Sequence, residues 1–188
     1  MTSHYLDLRL LPDPETAPAQ LLGALYDRLH ITLVAARRDD IGVSFPGYAV
    51  NPRTLGNIMR LHGSAAGLAT FAKPEWLRAV RDHVRLGAIV PTPAGAPHRT
   101  VQRRQFKTSV ERLRRRRMRR KGETAEQVAL AIPRIVEREP TIPFARLRSH
   151  STGQTYCLFI AMGRLQAEPR IGTFNAHGLS LTTTIPWF

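Results

Sequence analysis

A chain of 188 residues with 43% hydrophobic content has enough apolar material for a packed core, which excludes wholesale disorder. The net charge is +14, and 25 of the 28 cations are arginine, a bias that suits bidentate contact with phosphate or base edges rather than simple solubility. No apolar run approaches the ~18 residues of a membrane span. The start, MTSHYLDLRL, has no charged leader followed by an apolar stretch, so no signal peptide is expected. The single cysteine, Cys157, excludes an intrachain disulfide and fits a reducing cytoplasm best.

In chain order, Tyr5–Leu10 alternates Leu6, Leu8 and Leu10 against Tyr5, Asp7 and Arg9, the pattern of a half-buried strand. Pro12 and Pro14 end it. A helix follows from about Ala17 to Ala36, with Leu21, Leu22, Leu25, Leu29 and Leu33 on one face. Arg37–Asp40 reads as a turn, Ile41–Phe45 as a strand and Leu55–His62 as another. Ser64 is placed to cap a short helix, and Pro74 to open a second helical stretch to about Val84. Leu86–Val90 reads as a fourth strand. The order β-α-β-β-α-β predicts an α+β chain with a ferredoxin-like domain over 1–90.

Pro91–Pro97 is a linker by composition, and 91–107 is the expected domain boundary. A C-terminal α/β domain is expected over 108–188. Thr108 and Glu111 have capping-box spacing for a helix that runs to Lys121 and stops at Gly122. Thr124 and Gln127 repeat the box, and Pro133 kinks or divides that second helix. Phe144–Arg148 and Thr155–Met162 read as strands, followed by a tail to Trp187 and Phe188.

The charge is concentrated. Residues 99–121 carry twelve cations and one anion, while the flanking segments are near neutral. Such an element calls for a polyanionic partner, nucleic acid first and anionic membrane second. Within it Arg112, Arg115 or Arg116, and Arg119 fall on one helical face, and Arg120 widens the stripe. Like charges at i+4 repel, so the helix makes most sense against phosphates. Arg103 and Gln105, just before it, carry groups that pair with base edges. The turn Ser149–Gln154 offers hydroxyls and backbone N–H groups, either for a phosphate or for an ordinary hairpin. There is no CxxC, HExxH, phosphate-binding glycine loop or G-x-S-x-G, and the aspartates do not cluster as Mg²⁺ ligands would. An enzyme built from this chain is therefore expected to work with no cofactor and no metal. Strand cleavage of RNA needs only a base for the 2′-OH, donors to hold it and charge near the phosphate.

Several stretches carry a resemblance: HYLDLRL with PDPE, PAQLL, Leu29-His30, IGVSFP, RLGAIVP, RLRRRRMRR, LRSHSTGQ and the final PWF. The chain resembles the CRISPR type I-F repeat-processing endoribonucleases, the Csy-type crRNA endonucleases, from its first strand to its last residue. The resemblance implies that the Arg helix lies along the groove of a short repeat hairpin. Arg112, Arg115, Arg116, Arg119 and Arg120 would contact stem phosphates, and Arg103 and Gln105 would read the lowest base pairs. Tyr156 stands where the family has a Phe stacked on the end of the stem. His30 matches the general base, and Ser149, with Ser151 and Thr152 beside it, matches the residue holding the 2′-OH. His177, in FNAHGLS, stands where the family has Tyr, so it either supports neighbours or protonates the leaving 5′ oxygen. His150 stands where Gln is expected. Implied partners are the CRISPR repeat hairpin, in precursor and mature crRNA, and the type I-F effector subunits, in the cytoplasm and away from membrane. Two other readings remain open: a non-cleaving hairpin-holding subunit, and a ribosomal-type structural RNA binder.

Overall fold

The computed structural model describes residues 2–106, 110–132, 140–149 and 152–188, with the side chains of 110–112 excepted. The chain is α+β with antiparallel sheets. The first sheet contains β1 (His4–Leu10), β2 (Gly42–Ser44), β3 (Ile58–Gly63) and β4 (Val84–Pro91), in the order β2-β3-β1-β4. Helix α1 (Pro18–Ala35) joins β1 to β2. A short α2 (Ala65–Leu68) and two 3-10 turns, Pro74–Trp76 and Arg78–His83, join β3 to β4. Ser64 caps α2 as expected, its hydroxyl accepting from the Gly67 N–H at 2.9 Å.

Period-two alternation decides which face of this sheet is apolar. Leu6 sits opposite Leu61 and Leu8 opposite Met59, all fully buried with Leu25, Leu29 and Leu33 of α1. On the other face Asp7 sits opposite Arg60, and the two form a bidentate ion pair at 2.6 and 2.9 Å. The Arg60 guanidinium also donates to the Phe188 carbonyl at 2.9 Å and stacks on the rings of Phe188 and Tyr5. A charged group is thus tolerated under the C-terminal residues because its charge and its flat faces are both satisfied.

The helical stretch expected from Pro74 forms as two 3-10 turns separated by Leu77, with Arg78 at φ +45° opening the second. Two expectations need correction. The strand expected from Leu55 begins at Ile58, because Ala49 and Thr54 first close a turn through paired backbone bonds. Nor is 91–107 simply a linker. It contains β5 (His98–Arg99) and β6 (Val101–Arg104), whose partners lie far along the chain. β5 pairs with β9 (Ile185–Pro186). β6 pairs with β8 (Thr155–Met162), which pairs in turn with β7 (Phe144–Arg148) in a sheet of order β6-β8-β7.

Contacts divide the chain into two units, Met1–Arg104 with Ile142–Phe188, and Gln105–Thr141. This does not follow the expected domains of 1–90 and 108–188. Val101, Ala145, Leu147, Leu158, Ile160 and Ile185 join the same buried cluster as the first sheet. The second unit holds α3 (Val110–Lys121) and α4 (Ala125–Ala131). Gly122 ends α3 at φ +64°, and Thr124 and Gln127 form both bonds of the expected capping box. The proposed Thr108 cap and the Pro133 kink lie outside the described residues.

His62, on β3, is fully buried. Its Nε2 lies 2.8 Å from the Ser44 hydroxyl, and its Nδ1 has no partner among the described residues. Burial, reinforced by the Arg60 and His98 charges, holds its pKa down to about 3. The unfolded chain takes up a proton near pH 6.5, while the folded chain does not. The contribution of His62 to stability is therefore complete above pH 6.5 and is lost as the pH drops toward 3. Urea midpoints measured from pH 7 to 5.5 should decline for the wild type and decline less for His62→Gln.

Candidate active site

The apolar stripe of α1 carries polar groups at its edge. Tyr26 and His30, one turn apart, both reach the segment after Phe174. That segment is fixed by backbone bonds to strands on either side. The Val43 N–H donates to the Gly178 carbonyl at 2.8 Å, and the Ser180 N–H to Val101 at 2.9 Å. Within it Asn175 Oδ1 accepts from the N–H groups of His177 and Leu179, closing a tight turn. Gly178 sits at φ +69° against the Val43 side chain, where a Cβ has no room.

This turn brings His177 onto His30. The two imidazoles stack with centroids 4.1 Å apart and planes 11° from parallel. His30 Nδ1 lies 2.7 Å from the Ala176 carbonyl. A carbonyl only accepts, so Nδ1 carries the proton, and in the neutral ring Nε2 presents a lone pair. The buried Tyr26 hydroxyl donates to the His177 carbonyl at 2.7 Å, and Tyr156 OH shares a hydrogen bond with His177 Nε2 at 3.2 Å. Burial raises both phenols, so each stays protonated. Burial first, then the His30 charge and the Arg103 guanidinium, hold His177 down to about 4. Its imidazole is neutral at pH 7.

Ser149 reaches this region through β7. Gly23 lets α1 approach so closely that a Cβ there would meet the Arg146 carbonyl. One strand step on, the Arg148 N–H donates to Asp27 Oδ2 at 2.9 Å, and Asp27 lies one turn before His30. Ser149 follows directly and opens the turn, its N–H donating to the Gln154 carbonyl and its hydroxyl accepting from the Thr152 N–H at 3.3 Å.

Of the residues expected from sequence, His30, His177 and Tyr156 come together. Arg103, exposed on β6, is close enough for its charge to act on His177, Tyr156 and Tyr26. Thr152 and Gln105 are exposed. Ser151 and the Arg112 side chain lie outside the described residues. The remaining arginines of α3 divide by role. Arg114 donates to the Ile132 and Ala129 carbonyls, and Arg117 pairs with Glu123 at 2.6 Å. Arg115, Arg116, Arg119 and Arg120 are exposed. Sequence reasoning missed Tyr26, Asp27 and Asn175. The spacing of Tyr26 and His30 was the available signal, but a tyrosine in a leucine stripe reads as core. Among the described residues, no group of three or more His, Cys, Asp or Glu lies together as metal ligands would.

The model of the CRISPR-associated protein family Cas_Csy4 matches residues 5–188. This chain belongs to that family. A CRISPR-associated endonuclease Cas6/Csy4 of Pseudomonas aeruginosa (strain UCBPP-PA14) is 46% identical over 187 residues, 98% of this chain and 99% of the relative. A protein of the same description from Escherichia coli (strain UTI89 / UPEC) is 40% identical over 185 residues, with the same coverage. The stacked imidazole pair is thus a feature of a chain whose relatives carry the name endonuclease.

The ring environment of His177 is directly measurable. In an NMR titration its ring protons should report a midpoint near pH 4. Arg103→Ala and His30→Ala should each raise that midpoint, because each removes a cation that opposes protonation.

Proposed function

We propose that this chain is an endoribonuclease that binds the CRISPR repeat hairpin in pre-crRNA and cuts at its 3′ base. The observation that carries this reading is the bond from His30 Nδ1–H to the Ala176 carbonyl, which leaves Nε2 bare to act as a general base. His30 Nε2 takes the proton of the 2′-OH just upstream of the cut. That oxygen bonds to phosphorus, the P–O5′ bond breaks, and the products are a 2′,3′-cyclic phosphate and a 5′-OH. Ser149 holds the 2′-OH, with Ser151 and Thr152 beside it. His177, neutral at pH 7, is a poor proton donor. Its role is positional: it stacks on His30 and supports the imidazolium that forms there. The departing oxygen takes its proton from the His30 imidazolium or from water.

The step needs no metal. Arg115, Arg116, Arg119 and Arg120, with Arg112, hold stem phosphates, while Arg103 and Gln105 read the lowest base pairs. Tyr156 stacks on the end of the stem through its ring while its hydroxyl stays on His177. The enzyme then keeps its product as a subunit of the type I-F effector complex in the cytoplasm. Among the described residues no helix is long and apolar enough to cross a membrane.

Incubation with labelled repeat RNA in EDTA tests the chemistry. Cleavage should proceed at full rate, and a single 2′-deoxy substitution upstream of the cut should abolish it without loss of binding. His30→Ala should slow cleavage by ~10²–10⁴-fold with affinity within a few-fold, whereas His177→Tyr should stay within about tenfold. Cleavage of the deoxy substrate, or a strict Mg²⁺ requirement, overturns the mechanism. A fully active His30→Ala protein removes His30 from it.

Salt dependence tests the hairpin contacts. Arg116→Ala and Arg119→Ala should each lower the slope of log K against log salt by about 0.9. Arg114→Ala should leave the slope unchanged and instead loosen the α3–α4 pair, since its guanidinium is engaged by carbonyls at the end of α4.

A further inference from the structure

The sheet β6-β8-β7 has two faces, and only one is in the core. On the other, three strand positions line up in register: Arg104 and Phe144 lie on either side of Phe159, Arg146 lies opposite Cys157, and Arg148 opposite Thr155. Arg104, Phe144, Arg146, Arg148 and Cys157 are exposed. These positions hold three arginines and no acid. The Phe144 and Phe159 rings lie 5.3 Å apart, with Arg53 stacked on Phe144 at 5.5 Å. A groove of about 720 Å³ runs past Phe144, Arg146 and Cys157, bounded by Gln20 at the start of α1 and by Asn57.

We propose that this face is a track for single-stranded RNA, the 3′ flank of the transcript beyond the cut. The proposal rests on the endoribonuclease reading above. Arginines two residues apart on a strand leave the backbone about 6.8 Å apart, close to the phosphate repeat of an unstacked single strand. The exposed ring of Phe144, one strand step before Arg146, gives a π-face on which a base of any sequence stacks. The charges on this face are all positive, which suits a polyanion better than a protein partner of mixed charge. The direction is set by β7: Arg146 and Arg148 lead along the strand to Ser149, where the scissile phosphate is expected. Arg148 Nε donates to the Gly153 carbonyl at 3.3 Å, so Arg146 is the freer phosphate ligand of the two.

Cys157, the only cysteine in the chain and exposed, lies in the groove and reports on it. Two uncleavable repeat hairpins, each 2′-deoxy at the cut, carry a 3′ flank of one or of twelve uridines. The twelve-uridine hairpin should bind at least about fivefold tighter and slow alkylation of Cys157 by a maleimide; the one-uridine hairpin should not protect it. Phe144→Ala and, independently, Arg146→Ala should abolish the flank's affinity gain while keeping one-uridine affinity within twofold. The Arg146 side chain is exposed, so its variant tests the track even if Phe144→Ala unfolds. Equal affinity for both hairpins, unaltered Cys157 reactivity, or a gain that survives Arg146→Ala overturns the track while leaving hairpin binding and cleavage intact. So does a gain that follows a 5′ flank instead. Failure to bind either hairpin overturns the endoribonuclease reading itself.

Discussion

The hydrogen bond from His30 Nδ1 to the Ala176 carbonyl joins positions 146 residues apart, and the chemistry of the site depends on it. A histidine on a helix flank is otherwise free to rotate and to carry its proton on either nitrogen. Here one short bond fixes both the ring and the tautomer. The segment around His177 is held by its own backbone bonds to Val43 and Val101, so three separate parts of the chain must be in place before the His30 ring is fixed. The stack of His177 on His30 adds a second constraint. Two imidazolium ions at 4.1 Å repel, so the pair tolerates one charge, and burial assigns the neutral state to His177. In the proposed mechanism the second imidazole then serves as a neutral flat surface and a hydrogen-bonding support beside the general base, much as a tyrosine would.

The same logic of engagement separates the arginines. All of them look alike in the run RLRRRRMRR, yet Arg114 and Arg117 have local acceptors and the four exposed ones do not compete for those acceptors. Arg114 satisfies carbonyls left bare at the end of α4, and Arg117 neutralises Glu123. A helix with this density of like charge is thereby tied by two of its cations to α4 and to the turn before it, while Arg115, Arg116, Arg119 and Arg120 stay exposed. Arg60 shows the opposite limit. Its charge is neutralised by Asp7 and its faces are covered by two rings, so it serves the packing of the C-terminal residues rather than a ligand.

Much of this was legible in the sequence. The leucine stripe defined α1, the alternation of Leu6, Leu8 and Leu10 defined β1 and its buried face, and Ser64 and Thr124 announced their caps, because each of these depends on residues close in the chain. Arginine density pointed to a polyanion, and the order of RLRRRRMRR and LRSHSTGQ pointed to the family. Tertiary structure alone decided the rest. β5 and β6 lie in a segment that reads as linker because their partners, β9 and β8, are more than fifty residues away and contribute no local pattern. The division into units likewise depends on β7 and β8 returning to the first core. Spacing left His30 as one residue beside an apolar stripe. Only the return of the C-terminal segment gave it a carbonyl to fix its proton and an imidazole to lie against, and no local pattern of residues encodes a contact that is made after the chain has closed on itself.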